Sequence, residues 1–248
     1  MRRVLLTGGT GFVGAVLARR LLSLGHEVHL LVREGYHGWR VDEIRTRVFL
    51  HHADLASGSS MQALLSEVRP DWVFHLAASG AYSWQKDLDE MMATNVAGVM
   101  NLVRASLEAG VSRIVNTGSS SEYGFKDHAP MEDEAVEPNS HYAITKVCAT
   151  HFCSYTARTE GVPIPTLRLY NIFGPYEDPN RLLPTLLLHT QRGSLPPLVN
   201  PSVSRDFTWV EDACDAYLAA AEGNLADPGA VFNVATGIST TVSAAVDA

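Results

Sequence analysis

The chain opens Arg2-Arg3-Val4-Leu5-Leu6-Thr7-Gly8-Gly9-Thr10-Gly11-Phe12-Val13-Gly14 and runs on through Ala15-Val16-Leu17-Ala18-Arg19-Arg20-Leu21-Leu22. A short apolar run, a glycine-rich turn and an apolar stretch of helical period follow one another without a break. Strand, turn and helix in that order give the glycine pattern its meaning. The first glycines allow a turn that side chains would block, and bare backbone lets a pyrophosphate approach closely. The helix N-terminus then offers unpaired N–H groups and a partial positive charge. Gly14 allows the helix to pack tightly on the strand. The stretch therefore predicts a dinucleotide site at the head of a parallel sheet.

Apolar strands and helical periods keep alternating beyond it. Strands are predicted at Val28 to Val32, Arg47 to His51, Asp71 to Leu76, Ser112 to Asn116 and Pro163 to Tyr170. Helices are predicted at Met61 to Val68, Leu88 to Ala109 and His141 to Thr159, with Gly110 and Gly161 as stops for the last two. This alternation implies an α/β, Rossmann-like, doubly wound parallel sheet. After Gly174 the texture changes, with prolines at 175, 179, 184, 196, 197 and 201. Helices at Leu182 to Arg192 and Glu211 to Ala221, a segment at Asp206 to Trp209 and a strand at Val231 to Val234 punctuate that region. We expect a dinucleotide-binding domain over 1–174 and a smaller, interleaved substrate-binding lobe over 175–248. The tail Ser243 to Ala248 reads as the opening of a helix, so the lobe is expected to be incomplete.

Bulk properties narrow the function. A net charge of -8 over 248 residues disfavours a nucleic-acid surface, which needs a basic patch. Cys148, Cys153 and Cys214 have no framework spacing, which fits a reducing compartment. Cys148, His151 and Cys153 share one predicted helix without a fourth ligand nearby, so no metal site is expected. The N-terminus reads as a strand rather than a signal peptide, and no apolar run is long enough to span a bilayer. A cytoplasmic protein without membrane contact is the expectation.

The chemistry is concentrated in Tyr142-Ala143-Ile144-Thr145-Lys146. Tyrosine and lysine one helical turn apart share a face, and the chain has only two other lysines, Lys86 and Lys126. A free phenol has a pKa of about 10. A neighbouring ammonium is expected to lower it, so that the phenol can exchange a proton with an alcohol or carbonyl. Hydroxyls in Thr117-Gly118-Ser119-Ser120-Ser121-Glu122-Tyr123-Gly124 stand at the carboxyl end of a predicted strand, where one can stabilise charge on a reacting oxygen.

Taken with Asp54-Leu55, His75-Leu76-Ala77-Ala78, Asn95-Val96, Arg168 to Pro175 and Arg205-Asp206-Phe207, these motifs resemble the extended short-chain dehydrogenase/reductases of the NAD(P)-dependent nucleotide-sugar epimerase/dehydratase group. The resemblance covers almost the whole chain. It implies Ser119, Tyr142 and Lys146 as catalytic residues. For the coenzyme it implies Gly8, Gly11, Phe12, Val13, Gly14, Asp54, Leu55, Leu76, Ala77, Ala78 and Asn95, joined by Tyr142 and Lys146. It implies Ser120, Asn171 and Arg205 for the nucleotide sugar, and a homodimer built on the two long helices. The second strand ends in Val32, where an acid would select NAD. Arg33 follows, so NADP is expected, with NAD kept open by Glu34; Arg40 is a further candidate for the phosphate. In the group's 4,6-dehydratases the acids stand where this chain has Ser120 and Ser121, which demotes dehydration. A 4-ketoreductase is the leading expectation and a 4-epimerase with tightly held NAD the alternative. A dinucleotide sensor or scaffold of this group tends to lack the tyrosine or lysine; both are present here.

Overall fold

Parallel strands need long crossovers, and in this chain helices supply them. The computed structural model describes residues 1–196 and 200–247; Pro197 of the proline cluster and the terminal Ala248 lie outside them. In chain order the elements are β1 (Arg3–Thr7), α1 (Phe12–Ser23), β2 (Glu27–Val32), β3 (Phe49–His52), α2 (Gly58–Val68), β4 (Trp72–His75), α3 (Leu88–Met92) and α4 (Gly98–Glu108). β5 (Arg113–Ser119), α5 (His141–Glu160), β6 (Thr166–Leu169), β7 (Asn171–Phe173), α6 (Leu182–Thr190), β8 (Ser204–Arg205) and β9 (Phe207–Trp209) follow. The chain then forms α7 (Val210–Glu222), β10 (Val231–Val234), β11 (Thr240–Thr241) and α8 (Val242–Asp247).

Seven strands pair in the order β10-β6-β5-β4-β1-β2-β3, every pair parallel. The strand order reverses between β1 and β4, and ligands of open sheets bind at such a switch point. Alternate residues of each strand feed two cores. Val4, Leu6, Leu30 and Phe74 pack with Leu17 of α1 and Tyr217 of α7. Leu5, Val73 and Ile114 pack with Leu65 of α2, Leu102 of α4 and Cys153 of α5. β10, from the proline-rich part of the chain, is the sheet's edge strand beside β6.

The elements differ from expectation in ways with local causes. β6 begins at Thr166 rather than Pro163, because Pro163 and Pro165 have no N–H for a ladder. The long helix over Leu88 to Ala109 carries a π-helical turn at Ala93–Ala97. Such turns are rare and recur at functional sites; this one contains Asn95. The Asp206 to Trp209 segment does not stand alone: β9 pairs with β7, and β8 with β11. Asp206 pins the turn after β10, accepting the Thr236 N–H at 2.9 Å and the Gly237 N–H at 2.7 Å.

Candidate active site

The glycine turn packs against the end of β4 so closely that no side chain fits. A Cβ on Gly8, whose φ is +70°, would lie 2.6 Å from the Ala77 nitrogen. One on Gly14 would lie 2.2 Å from the Gly8 oxygen. Both glycines are therefore required by close approach. No side chain caps the first turn of α1, so its leading N–H groups stay available to a ligand. Above this bare backbone lies a groove of about 780 Å³. Gly8, Gly11, Arg33, Asp54, Leu55, Leu76, Ala77 and Ala78 line it, as expected, together with Ser79 and Thr94. Phe12 and Val13 instead turn their side chains into the core, leaving only their backbone to face the turn.

Two arginines stand at one end of the groove. Arg33 and Arg40 line it beside His37 and His52, Glu34 and Glu90 line it too, and Arg33 Nη1 lies 3.5 Å from Glu90 Oε1. Val32, where an acid would select NAD, is buried. Arg40 is held ready: its Nε donates to the Tyr176 carbonyl at 2.7 Å, and its guanidinium lies 4.4 Å over the Trp39 ring.

Asn95 sits in the π-helical turn, next to the groove-lining Thr94. It is 1 % exposed. Its Oδ1 accepts the Ser79 N–H at 2.9 Å, and its Nδ2 donates to the Ser79 carbonyl at 2.7 Å and the Thr145 hydroxyl at 2.9 Å. Its amide is spent joining the loop after β4 to α5, three residues from Tyr142. Asn171 and Arg205 also lie outside the groove lining. The Asn171 N–H donates to the Asp206 carbonyl, and the exposed Arg205 guanidinium donates to the carbonyl of Ser204.

Ser119 ends β5 and starts a 3₁₀ turn over Ser120–Tyr123. Its hydroxyl is 2.8 Å from that of Ser121, and its N–H donates to Glu122 Oε1 at 2.8 Å. The Ser119 hydroxyl also accepts the Ser121 N–H at 3.2 Å, and this bond with the one to Glu122 caps the turn and holds the hydroxyl in direction. Glu122 is fully buried. Its Oε2 accepts from Arg168 Nε of β6 at 2.9 Å, and its Oε1 also accepts from Thr150 on α5 at 3.1 Å. Arg168 in turn lies 4.5 Å over the Tyr123 ring.

Tyr142 and Lys146 sit on the first turns of α5, whose N-cap Ser140 accepts the Ala143 N–H at 3.1 Å. Burial, the largest influence, pushes the Tyr142 phenol up to about 12; the Ser119 hydroxyl and Arg181 pull it down, and Glu122 pushes it further up. This corrects the expectation of a phenol lowered by its lysine. Burial disfavours the phenolate and outweighs every neighbour, and Lys146 is not among the charges acting on it. Lys146 is itself buried and held below the usual lysine range by desolvation, against the pull of Glu122. His75 is pushed down to about 3 by burial and by the Lys146 charge, so its imidazole is neutral. The ring is a packed residue at the end of β4.

Arg181 was not legible in the sequence. It precedes α6, donates to the Ala81 carbonyl at 3.1 Å and lies 4.6 Å over the Tyr82 ring, so it ties the loop after β4 to the second half of the chain. Nothing in its local sequence marks it, since its partners lie about a hundred residues away.

The family model for the NAD dependent epimerase/dehydratase family matches residues 4–235. The chain belongs to that family. Among curated relatives of this family member, a UDP-glucose 4-epimerase of Mycolicibacterium smegmatis is 31% identical, over 96% of this chain and 78% of its own length. A probable dTDP-glucose 4,6-dehydratase of Sinorhizobium fredii is 28% identical over 94% of this chain and 71% of its own. Among solved structures, the Bordetella bronchiseptica enzyme WbmG in complex with NAD and UDP superposes with a TM-score of 0.84 at 28% identity, covering 99% of this chain and 76% of that one. The epimerase/dehydratase fold therefore extends over all the described elements. No helix among the described residues is long and apolar enough to cross a membrane, and no group of three or more potential metal ligands is found among them.

Proposed function

We propose that this family member is an NADPH-dependent reductase of a nucleotide-linked 4-keto sugar, with Ser119, Tyr142 and Lys146 as its catalytic residues. The residues 175–248 would supply the substrate side, including Asn171's neighbour strand β9 and Arg205. A nicotinamide dinucleotide fits the groove on two grounds: the turn at Gly8 and Gly14, where a Cβ would strike neighbouring backbone, leaves bare backbone there, and an uncapped helix N-terminus would suit an anion at that place. When bound, that coenzyme supplies or accepts a hydride. The chain's own residues handle the oxygen. Ser119, oriented by Glu122, hydrogen-bonds the reacting oxygen. Tyr142 gives it a proton. A phenol held near 12 stays protonated throughout the neutral range, which suits proton donation to a carbonyl. Lys146 binds the ribose.

The observation that carries the coenzyme choice is the cationic corner. Val32 stands where an acid would hold free ribose hydroxyls, and Arg33 and Arg40 line the groove beside it. A 2′-phosphate suits two guanidinium groups. Arg33→Ala is expected to weaken NADPH binding about tenfold, about 1.4 kcal/mol, while NADH binding stays within twofold. Fluorescence titration of both coenzymes measures this, and equal losses for the two would remove the NADP assignment.

Dehydration is disfavoured on this geometry. It needs a free carboxyl at the sugar, the family's acid positions are Ser120 and Ser121, and both oxygens of Glu122 are engaged. A second reading, 4-epimerisation, is favoured by the Mycolicibacterium relative's name and by NAD in the WbmG complex. Protein purified with NAD bound, and turning over a 4-hydroxy sugar nucleotide without added coenzyme, would select it over the reductase.

An exposed face of α5 supports an assembly. Ile144, Cys148, His151 and Tyr155 are exposed at helical spacing, with Tyr155 70% exposed. An exposed stripe of this kind on a long helix suits a two-fold contact with a second copy. We propose a homodimer through this face. Light scattering at micromolar concentration is expected to give twice the chain mass, and Tyr155→Glu to give the monomer.

A further inference from the structure

A row of four polar side chains crosses the sheet. Thr7, His75, Asn116 and Thr166 are register partners on β1, β4, β5 and β6, and none is more than 1 % exposed. Partners on neighbouring parallel strands point to the same face, about 5 Å apart. That face is the one covered by α5. Val73 and Ile114, two residues earlier on β4 and β5, share a core with Ala149 and Cys153 of α5.

The row is tied at both ends and open in its middle. Thr7 Oγ1 lies 2.7 Å from His75 Nδ1, and Asn116 Nδ2 donates to Thr166 Oγ1 at 3.1 Å. His75 Nε2 and Asn116 Oδ1 are both buried and find no hydrogen-bond partner among the described residues. Buried polar atoms are seldom left so, and each asks for an explanation. Lys146, on the helix that covers this face, is 1 % exposed. Its charge acts on His75. A buried ammonium has three donors to satisfy, and the row beneath it has an unspent acceptor and an unspent imidazole nitrogen.

We propose that His75 and Asn116 are positioning residues for Lys146: sharing one buried water between Nε2 and Oδ1, they form a floor that keeps the ammonium charged and aimed at the coenzyme. A water donates or accepts, so either imidazole tautomer serves. The neutral ring adds no second cation. The other groups bearing on Lys146 are Glu122 from the 3₁₀ turn and Cys153 from its own helix, both favouring the ammonium, against the desolvation of its site. Asn116 matters because it supplies the one side-chain oxygen in the row without a proton to place.

The inference rests on the roles given above to Tyr142 and Lys146, and it has a test that needs no turnover. The chain has only three lysines, Lys86, Lys126 and Lys146, so lysine labelled with ¹³C at Cε gives three signals to titrate by NMR in the coenzyme-free protein. His75→Phe and Asn116→Leu are each expected to lower the Lys146 titration midpoint by about one further unit. His75→Gln, which returns a polar atom near the Nε2 position, is expected to restore it. Thr166→Val cuts the far end of the row and is expected to leave it in place. A Lys146 midpoint unmoved in both folded variants overturns the floor. If His75→Phe does not fold, Asn116→Leu against Thr166→Val decides the matter alone. Failure of the parent reading looks different: Tyr142→Phe would then keep its turnover whatever the titration of Lys146 does.

Discussion

Tyr142→Phe is expected to lower turnover about a thousandfold, in the range that loss of a positioned general acid brings, while NADPH binding and melting temperature stay within error of the parent. The substitution removes one oxygen from a ring that α5 already holds. The phenol is the only group in the site whose proton is both held tightly, at about 12, and placed beside the Ser119 hydroxyl. No other side chain there can replace it: His75 is neutral and buried beneath the sheet end, and Glu122 is locked to Arg168. On the proposed reductase reading, the parent rate is expected to be level from pH 6 to 8 and to fall only on the alkaline side, where the phenol begins to lose its proton. Stability follows the same sign. A folded-state value above the ordinary value of about 10 contributes stability that is complete below pH 10 and is lost as pH rises toward 12. Turnover retained in Tyr142→Phe, or an equal loss of coenzyme binding, would show that the residue packs and does not react.

Arg168→Leu is expected to destabilise the fold by about 3–5 kcal/mol, the usual result of leaving one member of a buried ion pair alone. The side chains of Arg168 and Glu122 are 4% and 0% exposed, so water cannot take over the lost contact. For a chain of this size the loss corresponds to a melting temperature lower by about 10 °C. The same change is expected to reduce turnover through a second route. Glu122 holds the Ser119 N–H with the oxygen next to the one that Arg168 binds. A carboxylate freed from its partner no longer fixes the direction of the Ser119 hydroxyl. Replacing both members, Glu122→Leu with Arg168→Leu, separates the routes: stability is expected to recover in large part, since no charge stays buried, and turnover is not, since the cap on Ser119 is gone. Differential scanning calorimetry and steady-state rates on the same preparations read the two outcomes. A melting temperature within 2 °C of the parent for Arg168→Leu would mean that water reaches Glu122.

Several features were legible in the sequence because they are local. The β1 run, the glycine turn and α1 lie within one stretch, and each glycine answers to a neighbour a few residues away or to the strand beside it. Tyr142 and Lys146 are one turn apart, so any helix there presents them together. The Ser119 hydroxyl and the Tyr123-Gly124 pair are likewise neighbours in the chain. The cationic corner was visible in part: Arg33 follows β2 directly, but His52 reaches the same corner from β3.

The order of strands and helices, the glycine turn and the placing of Tyr142 and Lys146 on one helical face were thus determined by the sequence itself, through periodicity, backbone freedom and helical spacing. Tertiary structure alone decided what surrounds them. Glu122 meets Arg168 across 46 residues, and Asn95 meets Thr145 across 50. Thr7, His75, Asn116 and Thr166 form a row only because four strands pair in one register. The direction of the Tyr142 shift belongs to the same class. A neighbouring lysine is written in the chain, but the desolvation that raises the phenol arises only when distant segments pack around it.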